Sequence, residues 1–438
     1  MLTMRERIEM SLGAGTDLVV TAPHLMAAAR ENLSRFEPDE GSRSRSRSGR
    51  STSRPRIHLD ARGLSSTVPV LFLRSTLVPS PELSRVLREA GPGTLLLVEG
   101  DIAGFILPPL QKKIPLWRLF PPDRNLMPDR SVLEELAGGP PIGVGARRLR
   151  DADAHALVLD AAWECVRENA ALLTRDFELL SASRGRASRR AVPAGVSAAG
   201  KGGIWIAKGA EVRPHVFLDA TGGPIFIEEG ARILPFTSIE GPAFVGKGST
   251  LIGALVRSGT SIGPVCKVGG EIDCTIFQGH ANKAHSGFIG HSFVGEWVNL
   301  GAGTTNSDLK NTYGPVRITS GGRVYETGML KIGALVGDHV KTGIGTLIDT
   351  GAVLGTGANV FGGGIQPKYI PPFVWGGGGR FEEYRLDAFM KTAELVMARR
   401  GGSLTVHLRQ VLQEIHGMSS AERREWLARR AGSGAAPQ

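Results

Sequence analysis

Between residues 204 and 363 the chain places an aliphatic residue at intervals of about six positions, usually followed by Gly and then by small or polar residues. The phrase recurs as VGKGST (245–250), IGPVCK (262–267), VGGEID (268–273), VGEWVN (294–299), LGAGTT (300–305), VGDHVK (336–341) and LGTGAN (354–359). Such a period predicts a left-handed parallel β-helix, in which each hexad forms one flat face of a triangular coil and its aliphatic side chain points inward. Gly and other small residues at the corners permit the sharp turn and a positive φ. The rhythm lapses over 306–328 and rejoins at Leu330, which predicts a loop thrown out of the coil, a common place for binding residues.

Elsewhere the pattern changes. Residues 1–182 mix helical and strand periodicity and predict an α/β domain: a helix near Met4, a strand over 17–23, a helix near Pro23, strands over 68–75 and 94–100, and a helix over 80–89. A long amphipathic helix is expected over 153–180, with Trp163, Val166, Leu172, Leu173 and Phe177 on its core side. Residues 183–200 read as a linker, 201–376 as the β-helix and 377–432 as terminal helices over 380–400 and 403–418, with a third opened by Ser419 and a Glu422 capping box. That helical piece is expected to cover the open end of the coil.

Composition sharpens the boundaries. Of the 59 glycines, 38 fall in 201–380, so the hexads and the Gly content mark the same domain. At 438 residues the chain should hold two or three domains. The net charge of +10 equals the six Arg of 42–56 plus the four of 183–190, neither stretch carrying an acid, so the remainder is close to neutral. No aromatic residues interleave with those arginines to stack bases, and a disordered insertion at 42–56 is the better reading than a nucleic-acid surface. No signal peptide or bilayer-length apolar run is evident, so no membrane partner is expected. Cys165, Cys266 and Cys274 have no metal-ligand spacing and read as free thiols of a reducing, cytoplasmic compartment.

The densest polar set lies at 267–314. In a coil of about eighteen residues per turn, Lys267, His285 and Asn299 can approach one another across successive turns. His285 is a candidate general base. Lys267, Lys283 and Lys310 offer point charges for a phosphate, Glu271 stands in the same polar set, and Asn299 can bond a sugar or an acyl carbonyl. His280 and His291 read as ordinary turn histidines, Asp308 as a turn residue.

The run VGEWVNLGAGTTNSDLKN resembles the acetyltransferase half of the bifunctional N-acetylglucosamine-1-phosphate uridyltransferase/glucosamine-1-phosphate acetyltransferase family. With KVGGE, NKAHSGFIG, GDHVKT and GANVFGGG…PK, most of residues 200–400 look like a divergent branch of sugar nucleotidyltransferases with a C-terminal hexapeptide-repeat domain. The resemblance implies that His285 is the catalytic His, that Asn299 is an active-site Asn and that the backbone of Ala302 contacts coenzyme A. It also implies acetyl-CoA as acyl donor, a sugar phosphate and nucleotide of the UDP-N-acetylglucosamine type as small-molecule partners, and a homotrimer with sites between subunits. Phe288 stands where the family has Tyr, and Asp273 where Lys is expected, which leaves the acceptor open. The nucleotidyltransferase half should open with a strand and a phosphate-cradling loop, and would use Mg2+ with a nucleoside triphosphate. MLTMRERIE (1–9) looks like the segment after that loop, so the first βα unit is expected to be missing. Three readings stand: an acyltransferase, a sugar-1-phosphate nucleotidyltransferase whose β-helix only oligomerises or regulates, and a non-catalytic sugar-nucleotide-binding scaffold.

Overall fold

The structure is a computed structural model. It describes residues 161–184 and 189–432, together with short strands between residues 57 and 159. Two compact units are defined, 2–160 and 161–438 (with Met1 grouped with the second). In the first unit, Val70–Leu73, Asp101–Leu107 and Leu95–Val98 pair antiparallel, and Leu95–Val98 pairs parallel with Arg147–Leu149. The strands expected over 68–75 and 94–100 are therefore present. The helices and strand expected over 1–23, the helix over 80–89 and the Arg/Ser tract lie outside the described residues.

The second unit is the parallel β-helix that the hexads predict. Its three faces can be followed as columns of paired residues. On the first face the inward column is Ile206, Ile227, Val245, Ile262, Phe277, Val294, Val336, Leu354 and Ile370, each paired in register with the next. All are at most 3 % exposed. The leading aliphatics of five hexads (Val245, Ile262, Val294, Val336 and Leu354) thus fall into one column, because one hexad spans one face. A second inward column contains Ile233, Leu251, Val268 and Lys283, then, further along, Leu300, Thr342 and Val360. A third contains Leu218, Ile239, Val256, Ile272 and Ile289, then Asn306 and Ile348. Truncating one of these aliphatics to Ala should cost about 2–5 kcal/mol, as for other enclosed side chains.

The coil begins earlier than its glycine content suggests. Ser197–Ala199 already pairs parallel with Phe217–Asp219, so part of the stretch read as a linker supplies a rung. The long helix, α1 (Ala162–Arg184), starts well after residue 153, since Leu157–Val158 is a strand. It packs on the outer side of the first face. Val166, Leu172 and Leu173 are buried, and Phe177 meets Phe226 edge-on at 6.2 Å. The buried Asn169 side chain donates to the Gly259 carbonyl (2.6 Å) and accepts from the Ser261 hydroxyl (2.9 Å), which fixes the helix register on the coil.

The coil departs after Thr305–Asn306 and returns at Ala334–Val336, close to the expected limits. The excursion carries an antiparallel hairpin, Arg317–Ser320 with Arg323–Glu326. Val316, Ile318 and Ile332 anchor it in a small core with Trp163 and Leu335.

Beyond the coil, Arg380–Glu383 is a strand that turns back antiparallel onto Val374–Gly377, not the start of a helix as periodicity suggested. Three helices follow: α2 (Leu386–Ala398), α3 (Val406–Met418) and α4 (Ser420–Gly432). The capping box does not form. The Ser419 hydroxyl donates to the Ile415 carbonyl, and the Glu422 carboxylate accepts from the Tyr369 hydroxyl at 2.6 Å. Among the described residues no helix is long and apolar enough to cross a membrane.

Candidate functional site

The outward side of the second face carries one polar row. Lys267, Asn282, Asn299, Lys341 and Asn359 are paired in strict succession, one per turn. Adjacent strands lie about 4.8 Å apart, so the row presents amides and ammonium groups at that spacing. The Asn282 amide donates to the Asn299 side-chain oxygen at 2.8 Å. Lys267 is exposed. Lys341 is half-buried and donates to the His339 carbonyl at 3.2 Å; desolvation pulls its amine down to about 8. Sequence reasoning missed Lys341, although the signal was there. Lys267, Asn299, Lys341 and Asn359 each close a quoted hexad, and equal hexad position means equal place on the face.

At the edge of this face the chain turns a corner, and here two of the expected site residues, His285 and Ala302, come together. His285 is exposed on the turn after Asn282–Lys283. The next turn brings Ala302 to the same corner: the Gly303 N–H donates to the Ser286 carbonyl (3.0 Å), and the Gly345 N–H donates to the Ala302 carbonyl (2.8 Å). Gly303 (φ +72°) and Gly345 (φ +70°) make these corners, a conformation that disfavours any side chain. The Ala302 N–H donates to no acceptor among the described residues. Below it the corner is open and apolar: Ile344 is 79 % and Ile365 70 % exposed, and a Cβ added at Gly345 or Gly364 would meet nothing within 4 Å.

Three other candidates are placed differently. Lys283 does not face solvent. It occupies an inward, normally aliphatic slot at 1 % exposure, and its amine donates to the Gly269 (2.9 Å) and His285 (2.5 Å) carbonyls. Burial pulls that amine down to about 8. A phosphate cannot reach it, so the expected phosphate-binding role is corrected: Lys283 holds the backbone of the His285 turn. Glu271 lies on the third face beside Phe288, and its carboxylate accepts from Arg257 (3.2 Å), which also donates to Glu240 (2.7 Å). Lys310 belongs to the loop that leaves the coil, with its amine on the Pro315 carbonyl at 3.1 Å. The structure brings Lys267, Asn299, His285 and Ala302 to one face and its corner, and leaves Lys283, Glu271 and Lys310 out of that group. Any Mg2+–triphosphate site of the first half falls outside the residues whose side chains are described.

Fold and site together define a hexapeptide-repeat β-helix with a polar face and an open, glycine-lined corner. No family model matches the chain. Over 106 residues it is 32 % identical to the bifunctional sugar-1-phosphate nucleotidylyltransferase/acetyltransferase of Sulfurisphaera tokodaii, covering 24 % of this chain and 26 % of that one. Over 177 residues it is 31 % identical to the bifunctional protein GlmU of Methylibium petroleiphilum, covering 39 % and 33 %. The chain therefore resembles GlmU-type bifunctional enzymes as a divergent branch, and spans about a quarter to a third of the length of these relatives. Among solved structures, a hexapeptide transferase family protein from Anaplasma phagocytophilum aligns with 47 % of this chain and 98 % of its own, at 16 % identity and a TM-score of 0.23. AntD, an N-acyltransferase from Bacillus cereus solved with dTDP and 3-hydroxybutyryl-CoA, aligns with 47 % and 93 %, at 14 % identity and a TM-score of 0.20.

Proposed function

We propose that this protein transfers an acyl group, acetyl in the first instance, from coenzyme A to an amine or hydroxyl of a phosphorylated or nucleotide-linked sugar. The observation that carries this reading is the meeting of His285 and Ala302 on successive turns at one corner, with Asn299 on the adjoining face. A thioester supplies an activated acyl carbon, and the protein must then supply a base, a donor for the carbonyl oxygen and a place for each substrate. His285 takes the proton of the attacking amine or hydroxyl. The Ala302 N–H is available to an acyl or pantetheine carbonyl, and the open strip past Gly345, Ile344 and Ile365 suits an extended, largely apolar arm. Lys267 and Lys341 bracket Asn282 and Asn299, a spacing that suits the phosphate of an acceptor hydrogen-bonded by the amides. A cytoplasmic homotrimer with the corner facing a neighbouring subunit belongs to the same proposal.

The test is thiol release from acetyl-CoA over a panel of amino-sugar 1-phosphates and nucleotide-linked amino sugars, with His285→Ala alongside. Acceptor-dependent release is expected, falling on the order of 10²–10⁴-fold in the variant, the usual size of a lost general base. Turnover unchanged in His285→Ala would transfer the activity elsewhere and leave the β-helix as an oligomerising or regulatory element. Ligand binding without turnover by the folded protein would favour the scaffold reading.

A further inference from the structure

A second cluster lies at another corner of the coil, between the third and first faces, apart from the row just described. Asp273, His291 and Asp308 come from three successive levels, and their ligand atoms all lie within 4.8 Å of one another. The His291 Nδ1 is 2.7 Å from the Asp308 Oδ2 and 4.0 Å from the Asp273 Oδ2. All three side chains are half-buried. Their backbones are laced together: the His291 N–H donates to the Asp273 carbonyl, the Gly333 N–H to the His291 carbonyl and the Ile332 N–H to the Asp308 carbonyl. The cluster therefore sits where the excursion leaves the coil and where it returns.

Two features point to a ligand. First, the charge is poorly compensated. Two carboxylates flank one imidazole, and the Asp273 carboxylate, 4.0 Å from the His291 Nδ1, accepts no hydrogen bond among the described residues. Lys331 is exposed and acts on Asp308 only through its charge. Second, the set is held in place: a Cβ at Gly290 would collide with the Phe288 ring and come within 2.9 Å of the Asp308 Oδ2, so glycine there lets both side chains sit where they do.

We infer that Asp273, His291 and Asp308 bind one divalent transition-metal ion, with Zn2+ the best match among the common ions. A mixed set of one imidazole nitrogen and two carboxylate oxygens suits Zn2+, Co2+ or Mn2+, whereas Mg2+ and Ca2+ prefer all-oxygen shells. Ligands about 2.0–2.2 Å from a metal lie roughly 3–3.5 Å apart, a spacing bracketed by the two distances in the cluster. On binding, the Nδ1 lone pair goes to the metal and the neutral ring carries its proton on Nε2. Three protein ligands leave the remaining positions to water. The ion would tie three levels of the coil at the root of the hairpin excursion. The inference is independent of the acyl-transfer reading, which rests on another corner.

The experiment uses the full chain stripped with EDTA, titrated with Zn2+ and Co2+ by calorimetry and by the Co2+ visible spectrum, with Mg2+ as control. One Zn2+ or Co2+ per chain is expected and no saturable Mg2+ binding. Asp308→Asn and Asp273→Asn, nearly isosteric changes, should each weaken binding by at least about ten-fold. In a second measurement, Zn2+ should protect His291 from diethyl pyrocarbonate in the native protein, read by mass spectrometry of the His291 peptide. Binding that is absent, or unchanged in the double Asn variant, together with unprotected His291, would overturn the proposal and leave an imidazole hydrogen-bonded to Asp308 beside a second carboxylate.

Discussion

Lys283 shows what one residue can do inside a repeat. Its neighbours in the inward column are aliphatic or small, yet its amine reaches two carbonyls, one of them on the candidate catalytic His285. Replacing it with Met keeps the volume and removes both bonds. The lost hydrogen bonds and the relieved burial of an amine oppose each other, so the change in stability should be small beside the change in activity. For Lys283→Met we expect a melting temperature within a few degrees of the parent, and kcat for acyl transfer lower by on the order of 10–100-fold, with KM for the acyl donor little changed. An unaltered kcat would show that the His285 turn needs no such anchor. This residue also marks where the sequence stops being readable. Val268 and Leu300 announce themselves as core by phase, whereas in NKAHSGFIG the only aliphatic in phase is Ile289, and counting six back from it lands on a Lys, a residue type that phase alone does not assign to an inward slot. Lys341 was readable by the same phase argument and only needed it applied to position six. The pairing of His291 with Asp308 was not: seventeen residues apart in the chain, they meet because of turn lengths that hexad counting treats as constant.

At the scale of elements, α2 buries a histidine that would be costly to charge. His339 sits at a corner with Trp297 at 6.3 Å and Phe389 of α2 at 5.7 Å, is 2 % exposed, and among the described residues has no hydrogen-bond partner for either ring nitrogen. Burial pulls its pKa down to about 3. The unfolded chain, with an ordinary value near 6.5, then binds more protons than the folded one between those two pH values. The contribution of this site to stability is therefore full above about pH 6.5 and is lost progressively as pH falls toward 3. His339→Leu should flatten that acid-side loss without weakening the protein at pH 7.5. Urea midpoints from pH 7.5 to 4 measure it, and parallel curves for parent and variant would sink the argument. The helices themselves were legible in kind but not at their ends. The apolar spacing of α2 holds from Leu386, whereas RFEE in front of it is recruited by the last rung as an antiparallel strand, a tertiary demand that local periodicity cannot carry.

The whole molecule must solve a problem that every solenoid has, since a parallel coil ends in an unpaired edge. The sequence indicated that the terminal residues would cover this end, and they do so in two layers. Arg380–Glu383 pairs with the final rung in the opposite direction, which ends the parallel register. α4 then lies over that strand: Trp426 packs on Phe381 at 5.2 Å, and Arg430 stacks over Trp426 at 4.4 Å. Arg423 of α4, 1 % exposed, donates to Glu383 of the strand at 2.6 Å and to the Ser419 hydroxyl at 3.0 Å. The strand is only four residues long with three of them exposed, and α4 meets it chiefly through Trp426 and Arg423, so each layer is expected to need the other. Ending the chain after Ser419 removes α4 while leaving the coil, α1 and the candidate corner intact. We expect that form to melt several degrees lower and to self-associate with rising concentration, as the bared Phe381 and the strand edge find a second copy. Light scattering across a dilution series measures it. A truncated protein of unchanged mass at every concentration would mean that the antiparallel strand by itself blunts the edge, and α4 would then need another purpose.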